Sequence, residues 1–129
     1  LKTFPEIPKG WNDAALASKW EKIREVRGEV LKAIEPQRAN KTLGSSLEAK
    51  VSVDAGKDYA DVLQNIDMAE VTITSNASVS IKGDGLNVTV QAADGTKCNR
   101  CWRVLPEVQG EACLCNRCSD AVKTMKKAA

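Results

Sequence analysis

KCNRCW at residues 97–102 and CLCNRC at residues 113–118 contain all five cysteines of this 129-residue chain. Four of them form two Cys-x-x-Cys knuckles with 13 residues between them, Cys98 with Cys101 and Cys115 with Cys118. Each knuckle turns two sulfurs toward one centre, and a hairpin in the intervening residues would bring the pairs together. This spacing predicts a closed, tetrahedral four-cysteine site for one structural Zn²⁺, with no position left open for catalysis.

Two other interpretations of the cysteines are considered. Disulfides suit secreted proteins, but no signal segment opens the chain and one cysteine would be left over. A thioredoxin-like redox site needs one exposed Cys-x-x-Cys on a larger scaffold, whereas two similar knuckles are present here. Cys113 belongs to neither knuckle. We expect its side chain to act either as a small buried hydrophobic group or as an oxidation-prone thiol. Because the segment from Asp94 onward has few apolar residues, metal binding should supply most of its folding free energy.

Composition and charge limit the remaining chemistry. The chain has no histidine, which excludes His-dependent catalysis and His-ligated metals within it. Its net charge of +2 combines +3 for residues 1–41, −4 for residues 42–93 and +3 for residues 94–129. No apolar run approaches the roughly 18 residues of a membrane span, so we expect no membrane partner. Basic charge therefore lies at both ends around an acidic middle, a pattern that the net charge conceals.

The first third predicts a long helix that starts near Ala14 and is capped by Asn12 or Asp13. Helical spacing predicts one buried face, formed by Leu16, Trp20, Ile23, Val30 and Ile34. Pro36 should end or kink this helix near residues 34–35, with a further turn possible through residues 37–40. Arg27 lies within the apolar face, so it either pairs with a carboxylate at a helix contact or faces RNA.

The middle third alternates with a period of two from Leu47 to Val53, which predicts a half-buried strand. A short amphipathic helix over residues 59–66 follows. We expect strands at Ala69–Thr74, at residues 79–81 and, after the Asp84-Gly85 turn, at residues 86–90. The predicted fold class is therefore α+β, with a long N-terminal helix, a small sheet with a short helix, and a four-cysteine zinc ribbon-like module at the C-terminus.

Basic residues surround the knuckles. Arginines beside a metal knuckle, together with one aromatic residue, suit phosphate contact and base stacking. The candidate RNA-binding residues are Lys97, Arg100, Trp102, Arg103, Arg117, Lys123, Lys126 and Lys127. The arginines could instead be ordinary solvated surface residues. For Trp102 the favoured alternative is a role as the small apolar core of the module.

The ordered set of motifs resembles the C-terminal region of bacterial isoleucyl-tRNA synthetases. The resemblance rests on Lys97-Cys98-x-Arg100-Cys101-Trp102, Leu114-Cys115-x-Arg117-Cys118, and upstream on Phe4-Pro5-Glu6, Trp20-x-x-Ile23-x-x-Val26-Arg27-x-x-Val30, Ile34-Glu35, Arg38 and residues 43–49. Pro36 and Cys113 depart from that pattern. The chain opens on Leu1 and a proline-fixed segment, and we interpret it as a piece of a larger protein.

The resemblance implies a class I synthetase that joins isoleucine to tRNA(Ile) using ATP and Mg²⁺, both bound by the parent enzyme only. It implies three units: residues 1–44 as the terminal helix of an anticodon-binding helical domain, 45–93 as a junction domain and 94–129 as the zinc module. The family's His-containing catalytic signature cannot occur here, so the fragment itself should be non-catalytic and should position tRNA(Ile) for the rest of the synthetase in cis. We expect a cytoplasmic monomer. The alternative is a freestanding structural-zinc module that binds protein or nucleic acid.

Overall fold

The computed structural model describes residues 3–127, and for Lys126 and Lys127 it describes the backbone only. Within that range an α+β fold is observed, as predicted. The helices are α1 (Ala14–Ala39), α2 (Ala60–Leu63), α3 (Met68–Thr72) and α4 (Asn116–Lys127), and the strands are β1 (Ala49–Ala55), β2 (Asn76–Ile81), β3 (Leu86–Ala92), β4 (Thr96–Lys97) and β5 (Val104–Leu105). Short 3-10 turns lie at Lys9–Trp11, Ser46–Glu48 and Lys57–Tyr59.

Helix α1 begins where the sequence predicts and ends later. The Asp13 carboxylate accepts a hydrogen bond from the Leu16 backbone N–H at 2.9 Å, which satisfies one of the free donors of the first turn. Of the two outcomes predicted for Pro36, an end or a kink near residues 34–35, the end is wrong, because α1 continues through Pro36 to Ala39. Pro36 lies in the last turn, where it removes one intrahelical hydrogen bond, and the buried Ile34 holds that turn against the core.

The buried face of α1 is shorter than the helical pattern predicts. Ile23, Val30 and Ile34 are buried, and Val26 joins them. Leu16 and Trp20 are 51% and 39% exposed, so their predicted burial is wrong. The periodicity of a helix shows which side is apolar, but how far along the helix other elements cover it depends on the tertiary fold.

The main sheet has the strand order β2-β1-β3, with β1 parallel to β2 and antiparallel to β3. The crossover between the parallel strands contains α2 and α3. Alternate residues of β1 from Ala49 to Ala55 are buried against α1 in one core that also contains Leu43, Leu63 and Met68. The helix of the first predicted unit and the sheet of the second thus share a single hydrophobic core.

The strand prediction at Ala69–Thr74 is wrong. Helix α3 occupies most of it, because the Asp67 carboxylate accepts from the Glu70 backbone N–H at 3.1 Å and caps the helix. Met68, Ala69 and Thr72 then lie on one buried side at helical spacing. Strand propensity in this segment is overridden by the cap and by burial. The strand predicted at residues 79–81 is the end of β2, which begins at Asn76.

The C-terminal module is built around the knuckles. Strands β4 and β5 pair antiparallel and enclose the first knuckle, and an antiparallel bridge from Gln109 to Leu114 closes a turn in the residues between the two knuckles, where a hairpin was predicted. This bridge leads into the second knuckle, and α4 begins inside it. A second, smaller core forms here from Val108 and the buried cysteines. None of the helices within residues 3–127 is long and apolar enough to cross a membrane.

Candidate metal centre and nucleic-acid interface

The four knuckle cysteines meet at one point. Their sulfurs all lie within 4.8 Å of one another, and those of Cys101 and Cys115 are 3.8 Å apart. A tetrahedral Zn²⁺ with Zn–S bonds of about 2.3 Å places its sulfurs about 3.8 Å from one another. All five cysteines are free, and 3.8 Å far exceeds the roughly 2.05 Å of a disulfide. The four sulfurs can therefore hold one zinc ion.

Local hydrogen bonds orient the sulfurs. In each knuckle a backbone N–H closes the turn onto the first cysteine's carbonyl at 2.9 Å, from Trp102 to Cys98 and from Ser119 to Cys115. The Cys115 backbone N–H donates to the Cys98 sulfur at 3.4 Å, and the Arg100 guanidinium donates to the Cys118 sulfur at 3.7 Å. Donors that point at sulfur stabilise thiolates, which is the form that binds metal.

The electrostatics of this cysteine cluster suit a bound cation. Burial opposes ionisation of Cys98, but backbone N–H groups of Cys101, Cys115 and Arg100 outweigh it and lower the pKa of Cys98 to about 6. Burial raises the pKa of Cys101 to about 12 and also raises that of Cys115. Four thiolates this close repel one another unless a positive ion lies between them, so the cluster fits a divalent metal.

Cys113 lies outside the cluster. Its backbone adopts the left-handed conformation, with φ of +46°, and its thiol donates to the Gly110 carbonyl oxygen at 3.3 Å. It is partly buried against the small core of the module. Its side chain is not fully buried, and it adds no fifth ligand to the cluster.

Trp102 does not form the core of the module. Its side chain is 61% exposed and Val108 is buried instead, so the favoured core interpretation is wrong. The Lys97 ammonium lies 5.9 Å from the centroid of the Trp102 ring. Trp102 also has a φ of +66°, a strained value for a bulky residue, which presents the ring to solvent directly after the knuckle.

The other predicted RNA-binding residues occupy varied surroundings. Lys97 lies 3.7 Å from the Glu48 carboxylate, Arg117 lies 3.7 Å from that of Glu70, and Lys123 lies 3.9 Å from that of Asp120. The Arg103 guanidinium donates to the Ser75 carbonyl oxygen at 2.6 Å and is half-buried. The side chains of Lys126 and Lys127 lie outside the described part of the chain. Exposed ion pairs of this kind stabilise weakly, so their cations can exchange carboxylates for phosphates at small cost.

Arg27 lies at a helix contact, but its partner there is a backbone carbonyl and not the carboxylate that one of the two alternatives predicts. Its Nε–H donates to the Val71 carbonyl oxygen at 3.0 Å, near the end of α3. That carbonyl belongs to the last turn of the helix, where carbonyls lack intrahelical donors. Arg27 therefore ties α1 to α3 through the backbone.

Comparison with known proteins places this geometry in a family. The isoleucine–tRNA ligase of Zymomonas mobilis is 39% identical over 122 residues, which cover 95% of this chain and 13% of that protein. The ligase of Gluconobacter oxydans is 41% identical over 129 residues, with 95% and 13% covered. The chain is related to one segment of bacterial isoleucine–tRNA ligases.

The match extends to a third ligase, that of Geobacter sulfurreducens, at 36% identity over 138 residues, covering 95% of this chain and 15% of that protein. No protein-family model matches the chain. The chain thus spans about one seventh or less of the length of these curated relatives. The catalytic activity of an isoleucine–tRNA ligase belongs to those whole proteins.

In this chain the zinc module is joined to the sheet through Ser75, a residue that the sequence did not single out. Ser75 is fully buried, and its hydroxyl donates to the Leu47 carbonyl oxygen and accepts from the Val104 backbone N–H at 2.6 Å. Its carbonyl oxygen accepts from Arg103, and its N–H donates to the Ala49 carbonyl oxygen at 3.0 Å. Because a polar residue at the start of an edge strand is common, the sequence carries no signal for this joint.

Ser75→Ala should lower the free energy of unfolding by about 1–3 kcal/mol, because it removes a fully buried hydroxyl and leaves the part-buried Val104 N–H and Leu47 carbonyl without this partner. Urea denaturation measures the change, and hydrogen exchange should be faster at the Val104 amide. Ser78→Ala is the matched control, since Ser78 is exposed on β2 and should shift stability by no more than about 0.5 kcal/mol. Equal stability of the two variants would contradict the role of this joint.

Proposed function

We propose that this chain is the tRNA-binding, zinc-stabilised part of an isoleucine–tRNA ligase and positions tRNA(Ile) for ATP-dependent aminoacylation by catalytic domains elsewhere in the enzyme. The observation that carries the proposal is the exposed Trp102, which directly follows the first metal knuckle and has the Lys97 ammonium near its ring. An exposed aromatic ring among cations suits stacking on an unpaired base, with phosphates contacted on either side. A structural Zn²⁺ held by Cys98, Cys101, Cys115 and Cys118 would fix this geometry.

The N-terminal part supports contact with other domains of the ligase. From residue 3 onward, where the structure describes the chain, five large apolar side chains that precede the point where α1 meets its core are exposed: Phe4, Ile7, Trp11, Leu16 and Trp20. Exposed apolar surface of this kind marks a contact with protein. We therefore keep residues 1–44 as the end of a helical domain that is completed by the remainder of the enzyme, with residues 45–93 as the junction and residues 94–129 as the zinc module.

Trp102→Ala should weaken binding of the zinc-loaded chain to a tRNA(Ile) transcript by about 5–150-fold, because base–aromatic stacking contributes about 1–3 kcal/mol. Filter binding at several salt concentrations measures the affinity. The slope of log affinity against log salt should not change, because the ring contacts no phosphate, whereas Arg100→Gln should reduce that slope by about one. Zinc content measured on the same samples separates RNA contact from loss of the metal.

Trp11→Ala is the matched control, since Trp11 is also exposed, at 78%, and lies far along the chain from the knuckles. We expect the Trp11→Ala variant to bind the tRNA(Ile) transcript with the same affinity as the unaltered chain. If that chain bound tRNA(Ile) no more tightly than duplex DNA, the tRNA-binding proposal would fail. The alternative function, a freestanding zinc module that binds protein or other nucleic acid, would then be favoured.

A further inference from the structure

A cleft of about 270 Å³ lies between the crossover and the zinc module. One wall comes from the end of α3 and the residues that follow it, and the other from Arg103 and Arg117. Small-molecule sites have volumes of roughly 300–1,000 Å³, and the cleft lies just below that range. Its volume is suitable for one nucleotide unit. We propose that this cleft accepts a single unpaired nucleotide of the bound RNA, with its base against Ile73 and its phosphate between Arg103 and Arg117.

Ile73 gives the first argument. It ends α3 with a φ of +55°, where the left-handed conformation normally favours glycine, and its side chain remains 53% exposed. A β-branched residue in this conformation is strained. Because the Ile73 side chain is half exposed, its burial stabilises the fold too little to offset that strain. Strained residues concentrate at ligand sites, and here the strain presents an apolar side chain to the cleft.

The charges of the cleft give the second argument. Within residues 3–127, Arg103 has no carboxylate within ion-pair distance, and its buried Nε–H has no acceptor. A half-buried cation without a counter-ion favours an anionic ligand. Arg117 is 3.7 Å from Glu70, but both side chains are more than half exposed, so a phosphate could replace that carboxylate.

The joint at Ser75 gives the third argument, because it fixes the two walls relative to each other. Arg103 is held by the Ser75 carbonyl oxygen, and Val104 is held by the Ser75 hydroxyl. Leu47 and Thr74, which neighbour these contacts, complete the lining. The cleft is therefore a pre-formed feature of the joint between sheet and zinc module, and the inference rests on the proposed tRNA-binding function.

Ile73→Gly tests the apolar wall. It removes the side chain and relieves the backbone strain, so we expect Tm to stay constant or rise by a few degrees. Affinity for the tRNA(Ile) transcript should nevertheless fall about 5–10-fold, because the base loses apolar contact area. Ile73→Asn introduces asparagine, which tolerates the left-handed conformation but is polar, and it should give the same loss of affinity. Ile81→Ala is the control, since Ile81 is 42% exposed at the far end of β2.

Arg117→Ala tests the cationic wall, with Lys82→Ala as its control. Both remove one cation from an exposed 3.7 Å ion pair, but Lys82 lies beyond the opposite end of β2. Arg117→Ala should lower affinity about 5–10-fold and reduce the salt slope by about one, while Lys82→Ala should change neither appreciably. Glu70→Gln, which frees Arg117, should raise affinity more than Asp61→Asn does at the exposed Asp61 of α2.

The outcomes separate the two proposals. If the unaltered chain binds tRNA(Ile) no better than duplex DNA, the tRNA-binding function and the nucleotide cleft are both overturned. If it binds the transcript preferentially but Ile73→Gly, Ile73→Asn and Arg117→Ala bind equally well, the cleft alone is overturned. Loss of affinity in these three variants, with zinc content and Tm maintained, supports the cleft.

Discussion

Cys118→Ser should release the metal and unfold the zinc module, while the main sheet remains folded. Cys118 is fully buried among the four sulfurs and receives the Arg100 hydrogen bond, so a hydroxyl there would remove a ligand from the centre of the module. Zinc binding contributes about 10–16 kcal/mol apparent free energy in small zinc modules. Even changes outside the ligands cost about 10–100-fold in metal affinity, and loss of a ligand should cost more.

Two measurements check this expectation. Metal analysis after gel filtration should find about one zinc per chain before the substitution and almost none after it. Hydrogen exchange should become fast from β4 to α4 and stay slow in β1, because the two cores are separate. Cys113→Ser is the control and should retain zinc, since Cys113 donates to a carbonyl outside the cluster. Retention of zinc by Cys118→Ser would contradict the four-cysteine site.

Ile34→Ala should lower the free energy of unfolding of the helix–sheet core by about 2–5 kcal/mol. Ile34 is 1% exposed and belongs to the core shared by α1 and β1, so truncation removes apolar contacts and leaves a cavity. In urea this corresponds to a midpoint lowered by about 1–3 M. The same substitution at Val30 would remove less volume, which makes Ile34 the sharper probe.

Leu16→Ala on the same helix is the matched control. Leu16 is half-exposed, and its removal should cost less than about 1 kcal/mol in the isolated chain. Similar losses at both positions would show that the first turns of α1 are covered, in conflict with their observed exposure. A small loss at Ile34 would show that α1 and the sheet are not held by a common core.

The metal cluster could be predicted from the sequence because cysteine spacing alone restricts its geometry. The helical stripe and the alternation in β1 and β3 were predicted for similar reasons, since periodicity reports directly on burial. The failures at Leu16, at Pro36 and at Ala69–Thr74 have a common origin. Within residues 3–127 no other element covers Leu16, the buried Ile34 holds the turn that contains Pro36, and Asp67 caps the helix that replaces the predicted strand. Each of these features depends on neighbours that local patterns do not reveal.

The surroundings of the basic residues were beyond sequence reasoning. Residues from the acidic middle contact the basic module: Glu48 lies beside Lys97, and Glu70 beside Arg117. The acidic middle therefore contacts the basic zinc module through ion pairs. Ser75 and Ile73 escaped prediction because a hydroxyl in a buried joint and an isoleucine at positive φ carry no periodic signal.

The central position of β1 has a consequence for synthesis on the ribosome. The strand that covers β1 on its antiparallel side ends at Ala92, roughly 60 residues after the buried face of α1. Synthesis proceeds at about 5–20 residues per second, so the apolar face of α1 stays partly exposed for roughly 3–12 seconds before β3 is complete. The zinc module closes over a much shorter stretch of chain. The apolar face of nascent α1 thus depends on protection from premature association during that interval.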